Sequence, residues 1–158
     1  MNNSIFEKLF PFQEPRNNQR EVIEKIIQSY ENGKKYVILN APTGSGKSAI
    51  GLTVARYYTC SYFLTSQKVL QEQYYKDFKI PYVFGRASYT CRRDSLLTCE
   101  FGECLKKYGK YGSCKDCPYI NSRDLALNSA HSNLNYSFYL KIARKGSTTW
   151  NNYLRRSA

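Results

Sequence analysis

Apolar residues recur with helical spacing early in the chain. Between Val22 and Tyr30 they fall at i, i+1, i+4, i+5 and i+8, while charged residues occupy the opposite side. This spacing predicts an amphipathic helix. Asn17 or Asn18 is a candidate cap for its start, and Asn32-Gly33 is predicted to end it, because glycine is common just after a helix.

Short apolar runs alternate with helix-like segments along the rest of the chain. The runs at residues 36–39, 61–65 and 80–84 are predicted strands, and the more polar residues 131–136 are predicted to end a fourth. The helical segments are 47–58 and those that begin near residues 66, 118 and 137. Strands that alternate with helices predict an α/β fold. Residues 1–15 are predicted to be an irregular lead-in.

A glycine-rich loop follows the first apolar run and precedes a helical segment. It reads Ala41-Pro42-Thr43-Gly44-Ser45-Gly46-Lys47-Ser48 and fits the pattern G-x-x-x-x-G-K-[ST] except for alanine at its first position. Backbone N–H groups freed by Gly44 and Gly46 can surround a phosphate, and the helix N-terminus adds its positive end. Lys47 can reach the outer phosphates, and the Ser48 hydroxyl can bind Mg²⁺. We therefore predict that Thr43, Gly44, Ser45, Gly46, Lys47 and Ser48 bind a nucleotide.

Polar and aromatic residues lie shortly before this loop, at Phe12, Pro15, Arg16 and Gln19. An aromatic face and a glutamine amide could together recognise adenine, because the amide donates and accepts hydrogen bonds at once. The alternative is that these polar residues only cap the following helix.

Thr65, Ser66 and Gln67 lie where the second predicted strand meets the next helix. In open α/β sheets ligands bind at this edge, and hydroxyl and N–H groups there could hold nucleic-acid phosphates. A simple helix cap is the alternative. Cys60, at the start of this strand, is predicted to be a small buried residue.

The overall charge indicates a polyanionic partner. The 158 residues carry 24 Lys and Arg against 12 Asp and Glu, a formal net charge of +12. Such an excess is typical of nucleic-acid binding, although a solvated basic surface is the alternative. Fifteen tyrosines could stack on bases, but many will simply lie in the core. With 42% hydrophobic residues the chain is globular.

Nothing in the sequence indicates a membrane or a secretion signal. No apolar run approaches the roughly 20 residues that a transmembrane helix needs, and the N-terminus lacks a basic start followed by an apolar block. We therefore predict a cytoplasmic protein. Its six cysteines are then poorly explained as a secreted disulfide framework, and a metal site is favoured.

Five of the cysteines lie in a stretch that is poor in aliphatic residues. They are Cys91, Cys99, Cys104, Cys114 and Cys117, and the last two form a C-x-x-C turn. Such a stretch buries little and needs a staple. Tetrahedral zinc and a 4Fe–4S cluster both take four thiolates, so spacing alone does not choose between them and one cysteine is spare. The predicted ligands are Cys91, Cys104, Cys114 and Cys117, with Cys99 as the alternative.

These landmarks, in this order, resemble the first motor domain of superfamily-two helicases of the iron–sulfur type, the XPD-like and DinG-like group with a DEAD/DEAH box. Pro15-Arg16 with Gln19 is similar to the adenine-recognition motif, residues 41–48 to motif I, and residues 64–73 to motif Ia. Residues 85–91 are similar to the segment that delivers the first cluster cysteine, and Cys117-Pro118-Tyr119 to the segment at the last one.

The resemblance covers about residues 10–140 and implies a RecA-like parallel sheet interrupted by a small cysteine-rich insertion. It divides the chain into 1–84 and 118–143 as parts of the ATP-binding domain, 85–117 as the insertion and 144–158 as a basic tail. It implies ATP, Mg²⁺ and a 4Fe–4S cluster, with Zn²⁺ as the alternative to the cluster. It also implies that Thr65, Ser66, Gln67 and Arg86 contact single-stranded or forked DNA, along which the motor moves 5′ to 3′.

The acidic residues that ATP hydrolysis needs are missing. No glutamate follows Glu103, and the only later acids are Asp116, inside the C-x-x-C turn, and Asp124, in a helical segment. Motif II, which would hold Mg²⁺ and orient water, and the second motor domain are therefore absent. We expect the N-terminal part of a helicase, either truncated or split from a separate polypeptide, that hydrolyses almost no ATP alone.

Two other readings compete with this one. A metal-stapled basic module could bind single-stranded nucleic acid without motor activity. A small P-loop kinase or other NTPase is disfavoured, because no acid is placed after a strand. The single histidine, His131, has no visible partner for catalysis and is predicted to be satisfied or solvated.

Overall fold

The computed structural model describes residues 2–102, 104 and 116–144. The chain forms two compact units, Met1–Cys60 and Ser61–Ala158. No helix among the described residues has the length and apolar character needed to cross a membrane.

Three helices make up the first unit: α1 (Asn3–Leu9), α2 (Gln19–Glu31) and α3 (Lys47–Tyr57). Their apolar faces meet in one core, formed by Phe6, Phe10, Ile23, Ile27, Ala49 and Ile50. The predicted helix over residues 22–30 is confirmed as α2, with Ile23 and Ile27 buried. Gly33 follows it at φ +80°, as the predicted helix end requires.

The start of α2 is where the sequence predicts it, but the predicted side-chain cap does not form. Asn18 holds the N-cap position with φ 66°, but its side chain makes no capping hydrogen bond. The helix begins instead with the Gln19 N–H donating to the Arg16 carbonyl at 3.1 Å. Asparagine tolerates the left-handed backbone better than most residues, so Asn18 serves the turn by its conformation.

The lead-in predicted as irregular contains a helix, and that prediction is wrong. In α1 the Asn2 side chain accepts a hydrogen bond from the Ser4 N–H, and Phe6 is buried. Phe6 stacks on Phe10 with ring centroids 5.2 Å apart. The two rings stand four residues apart, a helical spacing that was overlooked because the segment is short.

The strand predicted at residues 36–39 does not form, and this prediction is also wrong. The segment belongs to none of the three strands that the structure describes. Tyr36 and Ile38 are 87% and 94% exposed, whereas Leu39 packs against the helical core. A strand needs a neighbour for its backbone hydrogen bonds, and the first unit offers only helices around this segment.

A parallel sheet lies at the centre of the second unit. Its strands are β1 (Ser61–Thr65), β2 (Tyr82–Val83) and β3 (His131–Asn135), in the order β1-β3-β2. Ser61 pairs with His131 and Thr65 with Asn135, and Tyr82 pairs with Asn133. The predicted α/β class with a parallel sheet, as in RecA-like domains, is confirmed.

Among the fully described elements, three helices connect or follow these strands: α4 (Lys68–Phe78), α5 (Pro118–Asn128) and α6 (Tyr136–Arg144), with a 3₁₀ turn at Arg86–Ser88. All three were predicted. The third predicted strand, residues 80–84, shrinks to Tyr82–Val83. Pro81 has no N–H for the ladder; it contributes only its carbonyl, which accepts from the Asn133 N–H at 2.8 Å.

The core of the second unit joins the sheet to the cysteine-rich stretch. Val83, Ala126 and Leu134 are fully buried and pack in one cluster with Cys99, Cys104, Cys117 and Tyr119. The described part of the stretch at 85–117 thus shares its core with the strands. Its predicted boundaries as an insertion stay predictions, and the tail at 145–158 lies outside the described residues.

Candidate nucleotide-binding site

The glycine loop leads directly into α3, whose N-cap is Gly46 at φ +77°. Gly44 has φ +83°, and a Cβ there would meet nothing within 4 Å. A Cβ on Gly46 would instead lie 2.1 Å from the Gln19 Nε2 atom. The first glycine is therefore required by backbone conformation alone, and the second by conformation and by a close neighbour.

Several polar groups of the loop are available to an anion. Among the residues that the structure describes, the N–H groups of Gly44 and Gly46 donate to no backbone carbonyl, while the Ser45 N–H donates weakly to the Pro42 carbonyl at 3.3 Å. The Ser45 hydroxyl is buried without a hydrogen-bond partner. These donors stand at the positive end of α3, where phosphate groups bind in many proteins.

The Lys47 ammonium lies against the loop itself. Its Nζ donates to the carbonyls of Ala41 and Pro42 at 2.9 and 2.7 Å, and the side chain is otherwise exposed. A phosphate oxygen is a stronger acceptor for an ammonium than a neutral carbonyl. Lys47 can therefore exchange its contacts with these two carbonyls for an ion pair with a bound anion.

Arg16 and Gln19 hold the loop from the start of α2. The Gln19 Nε2 donates to the Ser45 carbonyl at 2.9 Å, and its Oε1 accepts from the Arg16 N–H at 2.9 Å. The Arg16 guanidinium donates to the Gly44 carbonyl. The structure therefore brings both predicted adenine-site residues to the loop, where they contact its backbone. The adenine contact itself stays a prediction.

The residues predicted to contact DNA lie together at one edge of the second unit's sheet. Thr65 ends β1, Ser66 and Gln67 follow it, and Arg86 comes after β2, so all four lie at or beyond the carboxyl ends of parallel strands. Ser66 and Gln67 are exposed. The Thr65 hydroxyl donates to the Asn133 Oδ1 at 3.2 Å, and the Arg86 guanidinium lies 5.1 Å from the centre of the Tyr119 ring.

Four of the five clustered cysteines are described, and all four are buried: Cys91, Cys99, Cys104 and Cys117. The sulfurs of Cys99 and Cys117 are 3.9 Å apart. A Cβ on Gly102 would lie 3.1 Å from the Cys91 sulfur, so the chain passes closely beside it. Cys114, a predicted ligand, lies outside the described residues. Cys60 is only half-buried, less than predicted.

The described residues do not by themselves assemble a metal site. Within 2–102, 104 and 116–144 no group of three or more His, Cys, Asp or Glu side chains is arranged to hold an ion. Burial raises the pKa of the Cys99 thiol to about 11, and the nearby Cys117 and Cys91 add to this, while a backbone hydrogen bond at Tyr119 opposes it. A thiol with so high a pKa is neutral at pH 7 unless a metal takes its proton's place.

The two acidic residues after Glu103, Asp116 and Asp124, lie in a turn and in a helix, as the sequence predicts. Asp124 lies in α5 and pairs with Arg123 at 2.7 Å, and Asp116 lies in a turn with φ 61°. Neither follows a strand. His131 has a partner, since its Nδ1 lies 3.0 Å from the Ser61 hydroxyl, which confirms the prediction of a satisfied histidine.

Two buried polar residues of the second unit escaped the sequence analysis. Gln71 is 2% exposed and Asn133 is fully buried. The Gln71 amide donates to the carbonyls of Asn133 and Val83 at 3.2 and 3.4 Å, tying α4 to β3 and β2. A glutamine in a polar helix gives no sign of burial, so no local pattern could have found it.

A glycine loop with lysine and serine at a helix N-terminus, in an α/β chain with a parallel sheet, defines the class of P-loop nucleotide-binding proteins. A family profile described as type III restriction enzyme, res subunit, matches residues 12–108, more than half of the chain. The chain therefore belongs to this family and carries a helicase-like, ATP-dependent nucleic-acid motor domain. Comparisons with curated proteins and with solved structures gave no match.

The family match confirms the helicase resemblance at the level of the motor domain. The finer assignment to the iron–sulfur group stays a prediction.

Proposed function

We propose that this chain is the nucleotide- and DNA-binding portion of an ATP-dependent DNA helicase. The observation that carries the proposal is the loop at residues 44–48, where free N–H groups, a lysine and an unpartnered buried hydroxyl meet at a helix N-terminus. The family match, which includes this loop, gives independent support.

The residues of the loop fit the phosphates of ATP with Mg²⁺. The N–H groups of Gly44 and Gly46 and the Ser45 hydroxyl are donors that the described residues leave unsatisfied. Lys47 would exchange its two carbonyl partners for phosphate oxygens, and Ser48 would supply the hydroxyl ligand to Mg²⁺. Thr43 lies on the same loop and completes the predicted set.

Nucleotide binding is expected without steady hydrolysis. Within residues 2–102, 104 and 116–144 no acid directly follows a strand, so none of these residues is placed to orient the attacking water or to add a carboxylate to Mg²⁺. We propose that turnover requires carboxylates from outside these residues, as from a separate polypeptide that carries the second motor domain.

Calorimetric titration of the chain with ATP and Mg²⁺ tests the proposal. Lys47→Ala should weaken binding by about tenfold or more, because a charge-assisted hydrogen bond contributes about 1.5–3 kcal/mol. Lys34→Ala, an exposed lysine outside the loop, is the matched control and should bind like the unchanged chain. Absence of ATP binding would refute the nucleotide site. If the chain alone hydrolyses ATP steadily and Lys47→Ala abolishes this activity, the proposal that the chain needs carboxylates from elsewhere is wrong.

A DNA site at the sheet edge is the second part of the proposal. Thr65, Ser66, Gln67 and Arg86 lie at the edge where ligands meet parallel sheets, and the net charge of +12 favours a polyanion. A basic module that binds single strands without motor activity is the competing function, favoured by the missing acids. If ATP changes the DNA affinity and Lys47→Ala removes this response, the helicase function is supported. If neither ATP nor Lys47→Ala changes the DNA affinity, the basic single-strand-binding module is supported.

We also propose that the buried cysteines hold a 4Fe–4S cluster, with Zn²⁺ as the alternative. Four buried thiols supply a donor set suitable for either group. The 3.9 Å between the Cys99 and Cys117 sulfurs resembles the edge of a four-thiolate site around one metal ion, about 3.8 Å for metal–sulfur bonds near 2.3 Å, and so favours the zinc alternative for this pair, because each thiolate of a 4Fe–4S cluster binds a different iron. The bound group would staple the stretch to the sheet. Cys91, Cys104 and Cys117 are the shared candidates, and Cys99 or Cys114 is the fourth.

Metal analysis and visible absorption decide between these options. A brown protein with iron and sulfide supports the cluster, and a colourless one with zinc supports the alternative. Cys99→Ser and Cys114→Ser form a matched pair. The substitution that removes the fourth ligand should release the metal, and the other should leave it bound. Absence of any bound metal after anaerobic purification would contradict the proposal.

A further inference from the structure

We propose that a row of aromatic side chains on the second unit stacks on the bases of single-stranded DNA. The aromatic row consists of Tyr75 in α4, Tyr82 in β2 and Phe84 just after β2. The inference rests on the proposed DNA binding and deepens it, because it adds a surface for bases to the residues proposed at the sheet edge.

The three rings form one continuous line of contacts. The ring centroids of Tyr75 and Tyr82 are 5.7 Å apart, and those of Tyr82 and Phe84 are 4.6 Å apart. Tyr75 is 48% exposed, and the other two side chains are half-buried. Aromatic side chains that reach the surface can stack on any base, because every base has a π-face.

A lysine lies over the ring at each end of the row. The Lys68 Nζ is 5.7 Å from the centre of the Phe84 ring, and the Lys79 Nζ is 5.8 Å from the centre of the Tyr75 ring. Both lysines are exposed. Stacked bases with cations beside them are the usual pattern of single-strand binding, since the cations attract the phosphates that flank the bases. This charge distribution favours a nucleic acid over an uncharged apolar partner.

The middle of the row suits a base better than a phosphate. Burial raises the pKa of the Tyr82 phenol, and the nearby Glu72 carboxylate raises it further. The phenol is therefore neutral at pH 7, and the negative charge of Glu72 repels a phosphate at this point. A neutral base meets no such repulsion.

The edge of β2 beside the row is closed to a further peptide strand. The Phe84 N–H donates to the Tyr89 hydroxyl at 2.9 Å, and the Tyr82 carbonyl accepts from the Ser122 hydroxyl at 2.8 Å. The two hydroxyls lie 2.8 Å apart. A strand added here would need this N–H and this carbonyl for its own ladder. The rings, not the backbone, are therefore what this side of the unit offers to a partner.

Affinities of the full chain for two single-stranded oligomers of equal length test the proposal. One is a labelled oligothymidylate, and the other is an abasic oligomer with the same phosphates and no bases. Tyr75→Leu removes the ring but keeps an apolar side chain, so it should weaken oligothymidylate binding by about fivefold or more and leave abasic binding unchanged. Tyr75→Phe keeps the ring and should bind like the unchanged chain. Tyr36→Leu, at an 87% exposed tyrosine of the first unit, is the control and should change neither affinity.

The salt dependence separates the rings from the lysines. Tyr75→Leu should leave the logarithmic salt slope unchanged, whereas Lys68→Ala should reduce its magnitude by about 0.7, the value for one phosphate contact on a single strand. Equal weakening of both oligomers by Tyr75→Leu, or no weakening of either, would overturn the stacking proposal. If the unchanged chain binds neither oligomer, the proposed DNA binding itself fails.

Photochemical crosslinking gives a readout that needs no variant. Oligothymidylate with 5-iodouracil substitutions should crosslink to Tyr75 or Tyr82 on irradiation, as located by mass spectrometry of the digested complex. Crosslinks that fall only on residues outside the aromatic row would overturn the proposal, even where the chain binds DNA.

Discussion

Gly44 and Gly46 have similar backbone conformations but different neighbours, and only the conformation can be predicted from the residue type. Both have positive φ, which the pattern of the loop predicts from sequence, because glycine alone adopts this backbone without strain. Only Gly46 has the Gln19 amide against it. The sequence identifies the loop's residues by their own chemistry, but the partner of Gly46 lies 27 positions earlier and no local pattern connects the two.

Alanine substitutions at the two glycines should therefore differ in stability. Gly44→Ala is expected to lower the free energy of unfolding by about 1–2 kcal/mol, the usual penalty of a left-handed backbone. Gly46→Ala should lower it by about a further 1 kcal/mol, because the displaced Gln19 amide loses its bond to Ser45. Urea unfolding of the ligand-free chain measures both values.

A double variant separates strain from the contact. In a Gln19→Ala background, Gly46→Ala should destabilise the chain no more than Gly44→Ala does. Equal effects of the two glycine variants in the unchanged background would show that the Gln19 contact has no energetic weight.

At the scale of elements, helices were easier to predict than strands. Helix α2 and the helices after Lys47, Gln67 and Cys117 follow from periodicity and end signals that lie within a few residues. The segment 36–39 has an apolar run but forms no strand, because a strand also requires a partner from elsewhere in the chain. Helix α1 was missed because its apolar pattern spans little more than one turn.

The exposed segment before the loop gives a sharp contrast between neighbouring residues. Ile38→Ser should change the free energy of unfolding by less than about 0.5 kcal/mol, since Ile38 is 94% exposed. Leu39→Ser should cost about 1–3 kcal/mol, because Leu39 packs against the helical core. Chemical unfolding of both variants tests this, and a large effect of Ile38→Ser would mean that the segment is a buried strand after all.

Helix α1 should contribute measurably to the first unit. Phe6 is 3% exposed and stacks on Phe10, so Phe6→Ala should cost about 3–5 kcal/mol. Ile5→Ala, on the neighbouring half-exposed side chain, should cost under about 1 kcal/mol. Thermal or urea unfolding compares the pair; similar small losses in both would show that α1 does not pack as described.

At the scale of the whole molecule, the excess of positive charge indicates a polyanionic partner, and the carboxyl edge of the parallel sheet is the surface where we propose that it binds. Lysine and arginine outnumber acids two to one. The four predicted DNA contacts lie at or after the ends of β1 and β2, two strands whose existence the sequence predicts but whose order it could not give. Their common edge exists only because β1 and β2 both run parallel to β3.

Binding to a single-stranded oligonucleotide should depend steeply on salt. If three or more phosphates are contacted, affinity should fall by more than about tenfold between 50 and 200 mM salt, since the logarithmic slope is about −0.7 per contact on single strands. Fluorescence anisotropy with a labelled oligothymidylate measures the slope. An affinity that does not change with salt would contradict a phosphate-binding surface.

The sequence by itself determined the features whose causes lie within a few residues: helices α2 to α6, strand β1, the glycine loop with its lysine and serine, and the lack of a late acidic motif. These follow from local periodicity, backbone preference and composition. Only the tertiary structure decided the order β1-β3-β2, the burial of Gln71, the approach of Cys99 to Cys117 and the grip of Gln19 on the loop. Each of these joins residues far apart in the chain, and the path between them is set by packing of the whole unit, which no local pattern encodes.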